Sequence, residues 1–203
     1  FDLAGFCVGV VERKNLLQKK NVQSDSVIIG LESNGFHSNG FSLIRKILEV
    51  NKIKLNSKTP YKSKKKLLEE DLLEPTKIYV NDILPLVKNN LISSIAHITG
   101  GGLYENLERI IPKGLRAKID FKDFKIPEKF LWLSKLAKLD PREMLKTLNC
   151  GIGLILIISR NKLSKVKKYF STQKIVYHEM GIVEFSRNKE KIIIEHYGKW
   201  DLT

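Results

Sequence analysis

The sequence predicts an α/β or α+β fold, a mixed β-sheet flanked by helices. Three observations carry this expectation. Strand-like runs alternate with helix-like runs along most of the chain, the pattern of layered sheet-and-helix domains. One run, GIGLILIIS from Gly151, is apolar in both of its alternating side-chain sets, as a strand covered on both faces must be. One local design, strand then Gly-rich loop then helix, occurs twice without any accompanying sequence repeat.

The elements follow in order. Residues 1–12 alternate as a strand through Phe1, Leu3, Phe6, Val8 and Val10, and residues 14–24 are polar and turn-like. Val27 to Leu31 reads as a short buried strand. After a Gly/Asn/Ser loop, Phe41, Ile44, Ile47 and Leu48 share one face of a helix that opens near Asn39. Residues 51–66 form a basic connector, and KKLLEEDLL is a helical piece stopped by Pro75. Thr76 is placed to cap a helix through Val87, with Pro85 awkward near its end. LISSIAHIT is a strand, GGG a loop, and YENLERII a helix closed by Pro112-Lys113-Gly114. Residues 115–131 are irregular with short strand signals, and Phe130–Leu139 and Pro141–Leu148 are helical. Beyond the central strand, residues 161–171 form a basic amphipathic helix capped by Asn161 or Ser159. KIVYHEMGIVEF and KIIIEHY close the chain as two strands around an Arg187-Asn188-Lys189 turn.

Composition bounds the function. With 203 residues, 42% of them apolar, the chain can bury a substantial core. No window approaches the roughly 18–20 unbroken apolar residues of a membrane helix, and the first residues lack a basic leader and a cleavage site, so no membrane partner is expected. Cys7 and Cys150 lie in no CxxC or His/Cys cluster, which fits a reducing, cytoplasmic setting. The chain opens on Phe1 and directly on a strand pattern, as if entered mid-fold. The net charge of +14 raises the possibility of a basic nucleic-acid-binding module. Against it, 29 Lys stand beside only 7 Arg, and readers of bases and phosphates favour the planar Arg fork. The densest cluster, Lys62, Lys64, Lys65 and Lys66, has only Tyr61 as an interleaved aromatic. A solvated basic loop is the better reading, with no nucleic-acid partner.

The two Gly-rich loops carry the chemistry. The first N–H groups of a helix have no internal partner and sit at the positive end of its dipole. Glycines ahead of them let the backbone approach an oxyanion closely. Gly100, Gly101 and Gly102 fit this design, and Ser38, Asn39 and Gly40 make a second instance. Neither matches GxxxxGK[ST] or a strand-linked GxGxxG, and taken singly each loop is explained as well by a plain cap and turn. Each loop also holds a histidine, His37 or His97, able to donate to phosphate or to shuttle a proton. Two such residues in matching positions favour a site. His178 and His196 read as structural, and the four histidines lack zinc spacing, so no metal site is expected. Glu105 and Asn106 fall in the first turn after GGG, where Glu favours the dipole or both face a ligand.

Several stretches together, in order, resemble the C-terminal half of phosphoribosylformylglycinamidine cyclo-ligase (aminoimidazole ribonucleotide synthetase). They are DLAGFCVGVVE from Asp2, SNGFHSNGFSLIRKIL, DLLEPTKIYV, AHITGGGLYENLERIIP, the Pro127/Phe130/Trp132 cluster and EMLKTLNCGIGLIL. The His-Ile-Thr-Gly-Gly-Gly form points to the cyclo-ligase rather than to related ATP-dependent kinase or amidotransferase domains such as thiamine-monophosphate kinase. The resemblance implies a step of purine synthesis in which ATP and Mg²⁺ serve to convert formylglycinamidine ribonucleotide to aminoimidazole ribonucleotide. It also implies homodimers of two-domain chains, with ATP and metal held mainly by an N-terminal domain. On that basis residues 1–23 are a strand and linker from the N-terminal domain, and residues 24–203 a C-terminal substrate-binding domain of the aminoimidazole ribonucleotide synthetase type. This chain alone is then expected not to turn over. The resemblance carries His37 and His97 as catalytic candidates. It carries Ser33, Ser38, Asn39, Gly40, Thr99, Gly100, Gly101, Gly102, Glu105 and Asn106 as substrate-binding candidates. Asn34 and Phe36 depart from the family's loop, and Phe36 in place of Pro frees a fixed φ and is expected to loosen it. Leu148 stands where Phe is usual, an apolar exchange that bears on packing.

Overall fold

The structure is a computed structural model that describes residues 5–200. Six strands form one sheet in the order β2-β4-β1-β5-β3-β6. The strands are β1 (Val27–Glu32), β2 (Ser94–His97), β3 (Leu115–Asp120), β4 (Ile152–Ile158), β5 (Tyr177–Phe185) and β6 (Ile192–His196). Only β3 and β6 pair in parallel; the other neighbours are antiparallel, so the sheet is mixed as expected.

Helices cover both faces. On one face, α1 (Phe41–Val50), α2 (Leu68–Leu72), α4 (Gly102–Ile110), α5 (Glu128–Ala137) and α6 (Pro141–Thr147) meet the sheet through Ile44, Leu68, Leu103, Phe130 and Met144, packed with Ile28, Ile155 and Ile157. On the other, α3 (Val80–Lys88) and α7 (Leu163–Gln173) bring Ile83, Leu86, Val166 and Phe170 against Ile29, Leu31, Leu154 and Leu156. This accounts for β4, buried at all seven positions: alternate side chains enter opposite cores. Among the described residues no helix is long and apolar enough to cross a membrane.

Four local expectations are corrected. Residues 5–12 form no strand and lie exposed; Phe6 and Val10 are almost fully bare. A strand needs a ladder partner, and no described strand runs beside them; Phe1 and Leu3 lie outside the described residues. Thr76 caps no helix, and α3 begins at Val80. The Thr76 hydroxyl instead meets Ser38 Oγ at 3.1 Å and the Lys77 N–H turns to His37 Nε2 at 3.4 Å, so tertiary partners outcompete a local cap. Residues 115–120 are a full strand, in the middle of a three-strand group. Finally, β5 and β6 do not pair with each other: β3 lies between them.

Candidate functional site

The site follows from strand direction. β1 and β2 both run antiparallel to β4 and flank it, so they are parallel to each other and end at the same edge. Leu31 and His97 pair with the same residue, Leu154. The loops that follow, residues 33–40 and 98–101, therefore emerge side by side over the start of β4. An Asn39 Oδ1 atom lies 3.7 Å from the point where a Cβ on Gly100 would stand.

His37 is the hub of the first loop. It is buried and takes a left-handed backbone, φ 57°. Its Nε2 accepts the N–H groups of Asn34 (3.1 Å) and Lys77 (3.4 Å). Backbone N–H groups can only donate, so Nε2 is the bare nitrogen and Nδ1 carries the proton. Nδ1 is buried and has no hydrogen-bond partner among the described residues, an arrangement that costs about 1–3 kcal/mol. Burial, then the nearby His97 and Lys77 charges, lower its pKa from 6.5 to about 4, so the ring is neutral at pH 7.

Around it stand two further rings. His97 is 6.2 Å and Tyr79 6.4 Å from His37, centroid to centroid, and His97 and Tyr79 are 6.1 Å apart. His97 is the exposed member, and its pKa is lowered by partial burial. Tyr79 is buried, donates to the Glu32 carbonyl at 2.8 Å, and has its pKa raised by burial and then by the Asp82 and Glu32 charges. Gly153 of β4 makes room for the group. A Cβ there would sit 2.0 Å from Tyr79 Oη and 2.6 Å from His37 Cε1. Tyr79 and Gly153 were not singled out from sequence, since a Tyr before a helix and a Gly inside an apolar strand carry no local signal of a site.

The rest of the first loop is tightly held. Ser33 Oγ lies 3.0 Å from both the Gly35 carbonyl and Asn149 Oδ1, and Asn149 Nδ2 donates to the same carbonyl at 2.8 Å. Phe36 does not loosen the loop but anchors it. It is 2% exposed, packs edge-on against Phe130 at 4.9 Å, and has the Lys129 ammonium 5.8 Å from its ring. Ser38 is exposed and bonded to Thr76.

Both helices begin on a left-handed glycine, Gly40 (φ 77°) before α1 and Gly101 (φ 86°) before α4, and neither has a side-chain cap. A plain side-chain cap therefore explains neither loop; the Gly102 N–H donates to the Thr99 carbonyl at 3.0 Å, and the remaining first-turn N–H groups are left for another acceptor. The three glycines differ. Gly100 is exposed. A Cβ on Gly101 would meet the Glu105 side chain, from its carboxylate back to its Cβ at 2.7 Å, whereas on Gly102 it would strike the Leu145 carbonyl of α6 at 2.2 Å. Asn106 is buried, and its side-chain N–H groups reach the carbonyls of Thr99, Gly100 and Gly102 at 3.3, 3.1 and 2.7 Å, while Thr99 Oγ1 donates to its Oδ1. In the free chain it holds the loop. Glu105 is exposed and paired with Arg109 at 3.6 Å. His178 and His196 stay apart from the site, beside Glu32 and Asp120 respectively.

Residues 23–193 match the family described as AIR synthase related protein, C-terminal domain. The chain belongs to this family. Among curated relatives of this AIR synthase related chain, a phosphoribosylformylglycinamidine cyclo-ligase of Ligilactobacillus salivarius is 45% identical over 97% of the chain and 57% of that protein. The cyclo-ligase of Neisseria gonorrhoeae is 38% identical over 94% of the chain and 54% of that protein. The trifunctional purine biosynthetic protein adenosine-3 of Chironomus tentans is 41% identical over 98% of the chain but 14% of its own length. The chain thus spans about half the length of the cyclo-ligases it matches. In solved structures, the fold is shared with thiamine-monophosphate kinase of Stenotrophomonas maltophilia (TM-score 0.58, 16% identity, 91% of this chain and 54% of that one). It is also shared with hydrogenase maturation protein HypE (TM-score 0.56, 12% identity, 88% and 52%).

Proposed function

We propose that this chain is the substrate-binding part of an ATP-dependent cyclo-ligase that converts formylglycinamidine ribonucleotide to aminoimidazole ribonucleotide in purine synthesis. The observation that carries the reading is the meeting of two glycine-started, side-chain-uncapped helices with His37 and His97 at one end of the sheet. In this reading the first-turn N–H groups of α1 and α4 hold the anionic parts of the ribonucleotide. Ser33, Ser38, Asn39, Thr99 and the exposed Gly100 line its approach, with Glu105 at the rim. His37, neutral and with its proton on Nδ1, acts as a hydrogen-bond donor rather than a base. His97, exposed beside it, is the group free to exchange a proton with substrate. Rate acceleration then comes from positioning and from fixed dipoles, not from a covalent nucleophile.

Among the described residues no group of three His, Cys, Asp or Glu side chains stands close enough to hold a metal. The reading assigns ATP and Mg²⁺ mainly to an N-terminal domain, which the cyclo-ligase relatives have length to contain, and takes the full protein to be a cytoplasmic homodimer. Calorimetry of the chain with formylglycinamidine ribonucleotide tests the binding role. Saturable binding displaced by inorganic phosphate is expected. Duplex DNA binding that falls steeply with salt, with no response to the ribonucleotide, would instead identify a nucleic-acid module.

A further inference from the structure

The Lys-rich connector, which sequence reads as a solvated loop, is folded against a cavity. The cavity has a volume of about 430 Å³ and is bounded by Ser33 and Asn34 of the first loop, Lys62, Lys64 and Lys65 of the connector, and Lys129 of α5. The connector is closed on itself by a bridge between Lys58 and Leu67 and by the Thr59 N–H and Oγ1, which donate to the Lys66 and Lys65 carbonyls at 3.0 and 3.1 Å. Its base is pinned by Asp71, whose buried carboxylate accepts from Tyr61 Oη (2.9 Å), Ser63 Oγ and Lys129 Nζ (2.8 Å). The lysines are therefore presented by a fixed hairpin over a hydrogen-bonded floor.

Charge is unbalanced there. Four lysines and two acids, Asp71 and Glu74, line the cavity. Lys129 is spent on Asp71 and Lys65 faces Glu74 at 3.4 Å. The Lys62 and Lys64 ammonium groups make no salt bridge among the described residues, while the Lys62 backbone N–H donates to the Glu128 carboxylate at 2.8 Å and fixes that end of the hairpin. Ammonium groups gathered this way repel one another until a multiply charged anion bridges them. Tyr61, the aromatic of the connector, is buried with its hydroxyl on Asp71, so it gives a base nothing to stack on.

We propose that this cavity binds a condensed phosphate, the di- or triphosphate chain common to free polyphosphate and to nucleoside polyphosphates. The assignment does not rest on the reading of the His37–His97 site. The probe is inorganic tripolyphosphate, titrated calorimetrically into the protein, into the variant carrying Lys62→Ala, Lys64→Ala and Lys65→Ala, and into a control carrying Lys52→Ala, Lys54→Ala and Lys58→Ala. The control removes the same charge from exposed positions outside the cavity. One molecule bound per chain is expected, weakened about tenfold or more in the cavity variant and less than about twofold in the control. Competition by ADP would mark the phosphate chain as a nucleotide's; competition by pyrophosphate alone would mark it as free. No saturable heat, or equal weakening in both variants, overturns the proposal, because it would mean diffuse attraction to a Lys-rich surface. Matching circular dichroism and urea midpoints for the two variants exclude a folding defect.

Discussion

Lys77 donates its backbone N–H to His37 Nε2 at 3.4 Å, across a long stretch of sequence and alongside the Asn34 N–H at 3.1 Å. That bond fixes the tautomer of a buried imidazole and ties the segment before α3 to the loop before α1.

Stability should fall in mild acid because of His37. Its pKa is lowered from 6.5 in the unfolded chain to about 4 in the fold. Between these values the unfolded state binds more protons, so stability rises with pH across the window and is lost as pH falls through it. The full shift corresponds to roughly 3 kcal/mol. Urea unfolding at pH 7 and near pH 4.5 should show a larger drop for the native sequence than for His37→Gln. An equal drop would place the acid sensitivity elsewhere.

Gly153→Ala should damage the site from beneath. The added methyl would lie 2.0 Å from Tyr79 Oη and 2.6 Å from His37 Cε1, and Tyr79 is further held by its bond to the Glu32 carbonyl. Overpacking of this kind costs about 1–3 kcal/mol. A lower urea midpoint and weaker ribonucleotide binding are both expected. Unchanged binding would show that the rings can shift without consequence.

Gly101 and Gly102 should separate binding from folding. Gly101→Ala meets a side chain, Glu105, rather than backbone of another helix, and must hold φ 86°, a penalty of about 1–2 kcal/mol for the backbone. The chain should stay folded by circular dichroism while anion binding weakens. Gly102→Ala strikes α6 backbone and should lower the melting temperature far more.

The Asp71–Lys129 pair should be costly to break from one side. Their side chains are 4% and 13% exposed. Burial alone would raise Asp71, but hydrogen bonds from Lys129 and Ser63 and the Lys129 charge outweigh it and hold the carboxyl below its usual range. Lys129→Met leaves a buried carboxylate uncompensated, at about 3–5 kcal/mol. Adding Asp71→Asn should restore part of that loss. If the double variant is no better than Lys129→Met alone by urea titration, charge compensation is not what the lysine supplies.

Much of this was legible in the chain itself. The period of the apolar residues located β1, β2, β4, α1 and α4, because each buries a face whose spacing the sequence must display. The glycines and histidines of the two loops stood out for the same local reason. The ordered motifs pointed to the family, and residues 23–193 match it. Local pattern misled where a residue's partner is remote: residues 5–12 alternate like a strand without a described sheet edge beside them, and Thr76 gives its hydroxyl to Ser38. The sheet order was decided only in three dimensions. Placing β4 between β1 and β2 makes those strands parallel, brings His37 within 6.2 Å of His97, and makes Gly153 and Tyr79 part of the same group. Strand pairing depends on long-range hydrogen bonds that leave no trace in neighbouring residues, so the sequence determined the elements and tertiary structure decided what they surround.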